Sequence, residues 1–336
     1  MCGLDVRRRR QREEERAPGG VPRGADLAPP DANSTIPERM RYLTARLPDQ
    51  IAVIDDEQSL TYVELDAAAD RLANVLIARL GVAPEPVALL LPNQVAIAIG
   101  ILGVLKAGKF YAPLDPTIEP AVRQTILAEC GARILLTVKQ LLPGALAHAA
   151  PGLEVIEIDA LAAATSMGEQ APHLHPRSYA LLTFTSGTTG VAKGVLADHS
   201  NLLFRARQAY WYDQITPADR VGQLVTPTFA LFASVFFTTL LNGATLIFYD
   251  RSAAGMSGLL TWVADAKLSV FYAPVSLLRD LLTAPGPLPC IPSVRTVLLG
   301  GQSFVLRDLL GLRSVVEPGC TVVNRLSMSE VLLVAP

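Results

Sequence analysis

This chain of 336 residues has few cysteines, almost no net charge and no long hydrophobic run. Its four cysteines are too scattered for a disulfide framework, and none lies in a C-x-x-C motif, so we expect a reducing compartment, the cytoplasm. Lysine and arginine number 29 against 31 aspartates and glutamates, which argues against a nucleic-acid groove or a polybasic membrane anchor. The longest apolar runs, 95–105 and 231–241, are too short to span a bilayer. We therefore expect neither a nucleic-acid partner nor a membrane span.

The start of the chain differs in composition from the rest. Residues 7–10 are four arginines, residues 13–15 are three glutamates, and proline and glycine are frequent around them. No apolar segment follows the basic run, as a secretory signal would require. Residues 1–33 are therefore predicted to form a disordered leader.

From residue 51 onward, short apolar runs alternate with helix-length segments. The runs predicted as strands are 87–91, 133–137, 154–158, 179–184, 221–225, 245–248, 268–272, 296–299 and 321–323. A capping-box pattern from Thr61 to Glu64 predicts a helix that ends at Gly81, and residues 95–107 predict a buried helix. This alternation is typical of an α/β fold with largely parallel sheets flanked by helices.

The predicted fold divides into two stacked α/β subdomains. Linker-like composition at 162–176 places the boundary near residue 170, giving subdomains of residues 34–170 and 171–336. The last residues, 330–336, are apolar and resemble the beginning of another buried element. The second subdomain is therefore expected to be incomplete, with the chain truncated before any small C-terminal domain.

The stretch with the clearest chemistry follows the predicted strand at 179–184. It reads T-S-G-T-T-G over residues 185–190, followed by Lys193 and Gly194. Glycines free the backbone to curl so that several N–H groups point at one anion, and four hydroxyls and a lysine add donors and positive charge. The pattern predicts a polyphosphate-binding loop.

Other interpretations of this loop are weaker. The P-loop pattern G-x-x-x-x-G-K-[ST] is absent because Gly194 follows the lysine, and no G-x-G-x-x-G occurs. A plain flexible surface loop remains open, although random composition seldom places this pattern directly after an apolar strand.

Taken together, these segments resemble the adenylate-forming superfamily, which includes acyl-CoA synthetases, luciferases and the adenylation domains of non-ribosomal peptide synthetases. The loop is similar to its phosphate-binding signature, with Ala192 in place of a usual proline. L-T-Y-V-E-L at 60–65, L-K-A-G-K-F-Y-A-P-L-D-P at 105–116, L-L-N-G-A at 240–244 and L-G-G-Q-S at 299–303 follow in order. The resemblance covers most of the chain after about residue 36, and the P-L-D-P segment is similar to the peptide-synthetase branch.

The resemblance implies an ATP-dependent ligase that uses Mg²⁺. A carboxylic acid would attack the α-phosphorus of ATP and give an acyl-adenylate, whose acyl group passes to a thiol of a phosphopantetheine carrier protein or of coenzyme A. In such chemistry the protein mainly positions groups and stabilises charge. The residues that would bind the β- and γ-phosphates are Thr185, Ser186, Gly187, Thr188, Thr189, Gly190 and Lys193.

A second signature of the family, N-x-Y-G-P-T-E, is similar to residues 324–330. By this match Ser329 and Glu330 would contact the α-phosphate and Mg²⁺, and a carboxylate is a hard oxygen ligand that suits this metal. With Lys193 they form the expected catalytic set. Leu326 stands where an aromatic residue usually stacks on adenine. The further residues expected to bind nucleotide are Gly301, Gln302, Asn324, Arg325 and Leu326.

The expected acyl pocket distinguishes this chain from amino-acid-activating members, which place an aspartate in an F-D-x-S segment for the substrate's α-ammonium group. Counting back from residues 240–244 puts Phe229 at the phenylalanine and Ala230 at the aspartate, and no acidic residue lies between Asp219 and Asp250. The expected substrate is a fatty, aryl, keto or hydroxy acid that lacks an α-amino group. The predicted pocket residues are Phe229, Ala230, Leu231, Ser234, Leu298 and Gly300. The interpretation of 229–237 as a plain core helix stays equally open.

Two questions stay open at the level of the sequence. The family's ribose-binding aspartate and its small C-terminal domain with a catalytic lysine do not occur before Pro336. Either the remainder lies on a separate polypeptide or an extension, or the chain is a non-catalytic fragment with at most weak nucleotide binding. Among the histidines, His173 and His175 are expected in a solvated linker rather than at a metal, and His199 is expected to cap the helix that follows it.

Overall fold

The structure, a computed structural model, describes residues 27–147, 152–161, 172–185, 193–249, 258–283 and 290–325. Most of the predicted leader lies outside these ranges. Leu27, near its end, is buried in the main core, and the carbonyl of Ala28 accepts a hydrogen bond from Arg39 Nη1 at 2.8 Å.

The helices include both predicted examples. They are α1 Ile36–Arg46, α2 Tyr62–Leu80, α3 Val95–Lys106, α4 Pro120–Cys130, α5 Leu142–Ala147, α6 His199–Gln208, α7 Ala230–Leu240, α8 Leu259–Asp265, α9 Val275–Thr283 and α10 Leu306–Arg313. A π-helical turn, Ala209–Asp213, continues α6. The capping box of α2 is confirmed, since Thr61 and Glu64 bond reciprocally and Gly81 is the C-cap residue.

The described strands form two sheets. They are β1 Ile51–Ile54, β2 Ser59–Thr61, β3 Pro86–Leu90, β4 Phe110–Pro113, β5 Ile134–Thr137, β6 Glu154–Glu157, β7 Tyr179–Thr185, β8 Lys193–Asp198, β9 Arg220–Gln223, β10 Thr245–Phe248, β11 Val270–Pro274, β12 Thr296–Gly300 and β13 Thr321–Arg325. The first sheet has the order β6-β5-β3-β4-β7-β8, and the second has the order β13-β12-β11-β9-β10-β1-β2. The prediction of an α/β fold with largely parallel sheets is confirmed, because only β1–β2 and β7–β8 pair antiparallel among the described strands.

Each sheet draws strands from both halves of the chain. The hairpin β1–β2 joins the second sheet through parallel pairing of β1 with β10, whereas β7–β8 joins the first sheet beside β4. The domain division at residue 170 stays a prediction, but the sheets themselves do not divide there. Each of the two antiparallel hairpins thus pairs with a strand from the other predicted subdomain. Such long-range pairing cannot be predicted from composition.

Three helices share one core with strands of both sheets. Helices α2, α3 and α7 place fully buried residues in a cluster that includes Val87 of β3 as well as Leu246 of β10. Residues 95–105 of α3 are buried all round apart from Ile99, which explains why this segment shows a continuous apolar run rather than an amphipathic stripe. The same cluster contains Phe232, Phe236 and Phe237 of α7.

The C-terminal end of α7 is anchored by polar groups from the start of the fold. The hydroxyl of Tyr62 lies 2.8 Å from the carbonyl oxygen of Leu240, and Arg39 Nε donates to the carbonyl of Leu241 at 2.8 Å. Carbonyls at a helix end have no partner within the helix, so these bonds satisfy them inside the core. Burial lowers the pKa of Arg39 to about 10, which leaves it charged at neutral pH. Helix α7 is therefore held at one end while its other end is free to line a cavity.

None of the helices within the described ranges combines the length and the apolar character that crossing a bilayer requires.

The contact between α2 and α3 allows a test of the core. A Cβ at Gly103 would lie 2.6–2.8 Å from three side-chain atoms of Leu72, whereas a Cβ at Gly144 in α5 would meet nothing within 4 Å. We expect Gly103→Ala to lower the free energy of unfolding by about 1–2 kcal/mol, because overpacking outweighs the gain in helix propensity. Urea unfolding followed by tryptophan fluorescence measures this. Gly144→Ala, the matched control, should be neutral or stabilising, and equal stability of both variants would contradict the close packing.

Candidate functional site

Parallel register brings three cavity-lining residues side by side at one edge of the second sheet. Pro274, Gly300 and Arg325 are the last residues of β11, β12 and β13, and each pairs with the next across the sheet. In open α/β sheets, ligands bind outside the carboxyl ends of parallel strands, where loops and helix ends leave a crevice. This edge of the sheet is therefore where a site is expected.

A cavity of about 590 Å³ lies at this edge. Its size suits a small organic molecule. Its lining residues are Arg205, Leu224, Val225, Thr226, Phe229, Ala230, Leu231, Ser234, Tyr272, Pro274, Ser276, Leu277, Asp280, Leu298, Leu299, Gly300, Gly301, Gln302 and Arg325. The lining is mostly apolar and has a few polar groups, which is the composition of small-molecule sites.

The first turns of α7 form one wall of the cavity. Phe229 is the N-cap residue and is exposed, and Ala230, Leu231 and Ser234 line the cavity on the same side of the helix. The same helix also packs as a core helix, since its Phe232, Phe236 and Phe237 are buried in the main core. Together with Leu298 and Gly300, all six predicted pocket residues line this one cavity. Their role stays a prediction.

Two buried arginines lie in the lining beside this wall. Arg205 of α6 is 4% exposed, and its Nε donates to Ser234 Oγ at 3.0 Å. Arg325 is 9% exposed and forms an ion pair with Asp213, which ends the π-helical turn. The hydroxyl of Tyr272 lies 3.4 Å from Asp213 Oδ2. Of these five polar residues, Ser234 and Arg325 were predicted from the sequence, whereas no motif singled out Arg205, Asp213 or Tyr272.

These charged groups influence one another. Burial lowers the pKa of Arg205 to about 10, and the nearby charge of Arg325 acts in the same direction, so the guanidinium remains charged at neutral pH. Burial raises the pKa of Asp213, although the charges of Arg325 and Arg205 oppose that rise. Both arginines keep polar atoms without a hydrogen-bond partner among the described residues: Nη1 of Arg205, and Nε and Nη1 of Arg325.

The residues expected to bind nucleotide are only partly described. Gly301 and Gln302 line the cavity, and Gly301 has a φ of 85°, a conformation that favours glycine. Asn324 is exposed on β13 and is not among the lining residues. The backbones of Thr185 and Lys193 pair as the ends of β7 and β8, which join the loop at its base. The predicted residues that lie outside the described ranges are Ser186, Gly187, Thr188, Thr189, Gly190, Leu326, Ser329 and Glu330.

The histidines differ in part from expectation. His173 and His175 are exposed, and no group of three or more histidine, cysteine or acidic residues in the described ranges could hold a metal ion. The N-cap residue of α6 is Asp198, in a capping box with Asn201, so the expectation that His199 caps the helix is wrong. The carboxylate of Asp198 accepts a hydrogen bond from the backbone N–H of Asn201. His199 is already the first residue of the helix, so its imidazole does not occupy the capping position. His199 instead is fully buried and accepts a hydrogen bond at Nδ1 from the backbone N–H of Ile36 at 3.2 Å.

Sequence comparisons match most of the chain to one family and to segments of much longer proteins. A family model described as AMP-binding enzyme matches residues 41–335. The chain is 35% identical over 266 residues to tyrocidine synthase 3 of Brevibacillus parabrevis, covering 77% of this chain and 4% of that protein. It is 34% identical over 266 residues to the phosphinothricin tripeptide synthetase PhsC of Streptomyces viridochromogenes, covering 78% and 24%. The chain thus spans a small part of the length of both relatives.

Solved structures share the fold. The N-terminal subdomain of Klebsiella oxytoca NpsA, solved in complex with 3-hydroxybenzoyl-AMSN, aligns with a TM-score of 0.78 over 89% of this chain and 73% of that chain, at 21% identity. The nonribosomal peptide synthetase FmoA3 in its AMPPNP-bound form aligns with a TM-score of 0.80 over 97% of this chain and 34% of that chain, at 25% identity.

The buried His199 predicts a pH dependence of stability. Burial lowers its pKa to about 4 in the folded chain, against about 6.5 when unfolded. The contribution of His199 to the free energy of unfolding is therefore fully present above pH 6.5 and is lost as the pH falls toward 4. Between these pH values the imidazole is protonated in the unfolded chain but stays neutral in the folded chain. The loss amounts to about 3 kcal/mol across that window. Urea unfolding at a series of pH values measures it.

His199→Asn places an amide oxygen near the position of Nδ1, so it keeps an acceptor for the Ile36 amide and removes the titration. We expect the stability of this variant to fall less steeply between pH 6.5 and 4 than that of the unmodified chain. His175→Asn, at an exposed position, is the matched control and should leave the slope unchanged. An unaltered slope in His199→Asn would show that this imidazole is not the titrating group.

Proposed function

The chain belongs to the AMP-binding enzyme family, and from this membership we propose that it activates a carboxylic acid lacking an α-amino group, with ATP, to an acyl-adenylate. The observation that carries the proposal is the cavity at the carboxyl edge of the second sheet, which all six expected acyl-pocket positions line and in which residue 230 is an alanine. An apolar pocket with a few polar groups suits the hydrocarbon part of such an acid.

The proposed binding of ATP is supported by the position of some of the residues expected to contact it, which line the same cavity as the expected acyl pocket. Gly301 and Gln302, which the family resemblance assigns to the nucleotide, line the same cavity as Ala230 and Leu298. A nucleotide and an acid held there would lie next to each other, and such positioning is the main contribution of a protein to this type of reaction. FmoA3, which is 25% identical to this chain, has been solved with AMPPNP bound. Mg²⁺ would neutralise phosphate charge, and its expected ligand Glu330 lies outside the described residues.

The charges of the lining disfavour an α-ammonium group. Asp280 is the only carboxylate among the described lining residues, and it is exposed, so its attraction is screened by solvent. Arg205 and Arg325 would repel an ammonium group. A buried ammonium without its anion costs several kcal/mol, and each ~1.4 kcal/mol is a factor of ten in affinity, so amino acids should be strongly disfavoured.

The thiol acceptor in the proposal is a phosphopantetheine carrier protein, with coenzyme A as the alternative. The similarity to tyrocidine synthase 3 and PhsC, both peptide synthetases, supports a carrier protein. The scattered cysteines suit a reducing compartment, and the cytoplasm is the compartment that we propose.

ATP–pyrophosphate exchange tests the proposed reaction. The panel pairs each amino acid with its 2-hydroxy and 2-keto analogue, so that only the α-substituent differs. We expect exchange with the deaminated acids at least about tenfold above that with the amino acids, because the lining offers the ammonium group no buried anion. Higher exchange with amino acids would overturn the proposed substrate class. A flat panel from a folded chain would favour the non-catalytic fragment.

Two variants test how the pocket discriminates. Ala230→Asp introduces the missing carboxylate on the cavity wall, so we expect the ratio of exchange rates to shift toward the amino acid of each pair. Asp280→Asn is the matched control at the exposed carboxylate and should leave the preference for deaminated acids unchanged. Amino-acid exchange that depends on Asp280 would contradict the proposal, because the ammonium group would then have a partner.

A further inference from the structure

The acyl side of the cavity contains more buried positive charge than the described residues neutralise. Arg205 and Arg325 are both more than nine-tenths buried, both line the cavity, and both keep guanidinium atoms without a partner among the described residues. Taking a guanidinium group out of water is costly unless an anion or several acceptors compensate. Two such groups in the lining of one cavity indicate a ligand with acceptors for them.

The nearby carboxylates compensate only one of the two charges. Asp213 forms an ion pair with Arg325 and does not line the cavity. Asp280 lines the cavity but is exposed, and neither arginine forms an ion pair with it among the described residues. Within the described part of the chain, Arg205 therefore has a serine hydroxyl as its hydrogen-bonded side-chain partner, at 3.0 Å, and no carboxylate of its own.

The position of Arg205 indicates that its guanidinium group faces the acid rather than the nucleotide. Its partner Ser234 lies one helical turn after Ala230 on the α7 wall, and both line the cavity together with Leu231. The serine hydroxyl accepts from Nε and so orients the guanidinium on that wall. A group bound by Arg205 would therefore lie among the residues expected to hold the acyl chain.

We propose that the acid activated by this chain carries a second, distal carboxylate, which Arg205 binds with the help of Arg325. A guanidinium group presents paired N–H donors that match the two oxygens of a carboxylate, and such charge-assisted bonds are strong in a buried setting. The inference rests on the proposed function, because it identifies the substrate class of the same pocket. The same chemistry would also suit a phosphate of the nucleotide, and the experiment separates these two sources.

Isothermal titration calorimetry on the full chain saturated with AMPPNP provides the test. The acids are straight-chain dicarboxylates, ω-hydroxy acids and monocarboxylates matched in length, with terephthalate against para-methylbenzoate as an aromatic pair. We expect each fitting dicarboxylate to bind at least about tenfold more tightly than its monocarboxylate, with the hydroxy acid between them. Equal or tighter binding of the monocarboxylates would overturn the inference and leave the proposed function intact. AMPPNP binding without binding of any acid would overturn both.

Variants on α6 assign the effect to one residue. In Arg205→Met we expect the preference for dicarboxylates to vanish while monocarboxylate and AMPPNP affinities stay within about twofold, and Arg205→Lys should restore part of the preference. Arg207→Met, on the same helix but not in the lining, is the matched control and should bind every ligand as the unmodified chain does. Loss of AMPPNP binding with an unchanged acid preference would assign Arg205 to the nucleotide and overturn the inference. Should Arg205→Met fail to fold, the comparison of acids on the unmodified chain still decides the question.

Discussion

The parallel register of β11, β12 and β13 is the constraint on which the candidate site depends. Because Pro274, Gly300 and Arg325 are paired neighbours at the ends of these strands, the position of any one of them determines the others. Position 300 suits glycine, since a Cβ there would lie 3.1 Å from the backbone carbonyl oxygen of Arg325 and would crowd it. The cavity is thus built into the backbone of the sheet, and side chains from α6, α7 and α9 complete its lining.

Electrostatics then distinguishes this cavity from a gap in the core. An apolar void would need no charged lining, whereas two buried guanidinium groups are stable only in partnership with acceptors. The π-helical turn after α6 supplies one of them, because it ends at Asp213, whose carboxylate lies against Arg325. A π-helical turn is rare and is frequently found near functional sites. The arrangement is easier to understand as a binding site for an anion than as a device for stability.

Local sequence patterns predicted most of the strands and helices but few of the charged residues at the candidate site. Strands such as β3 and β5 are buried on both faces, so their continuous apolar runs could be predicted, and the start of α2 could be located from its capping box. The antiparallel hairpins and the sheet that each joins depend on pairing over long separations, such as Val53 with Leu246, which no local signal reports. The same reason explains why Arg205 and Asp213 were missed. Arg325 and Asp213 are 112 positions apart, and only the fold brings them together.

The wall of the cavity also connects the candidate site to distant parts of the chain. Helix α7 lines the cavity with its first turn, while Tyr62 and Arg39 bind the carbonyls at its last turn. Both anchoring residues lie early in the chain, and a helix in a close-packed core has little space in which to shift. The position of Ala230 and Ser234 relative to Arg205 is therefore set partly by residues that never touch the cavity. In this fold, the interleaving of the two sheets and the geometry of the cavity wall are two consequences of the same packing.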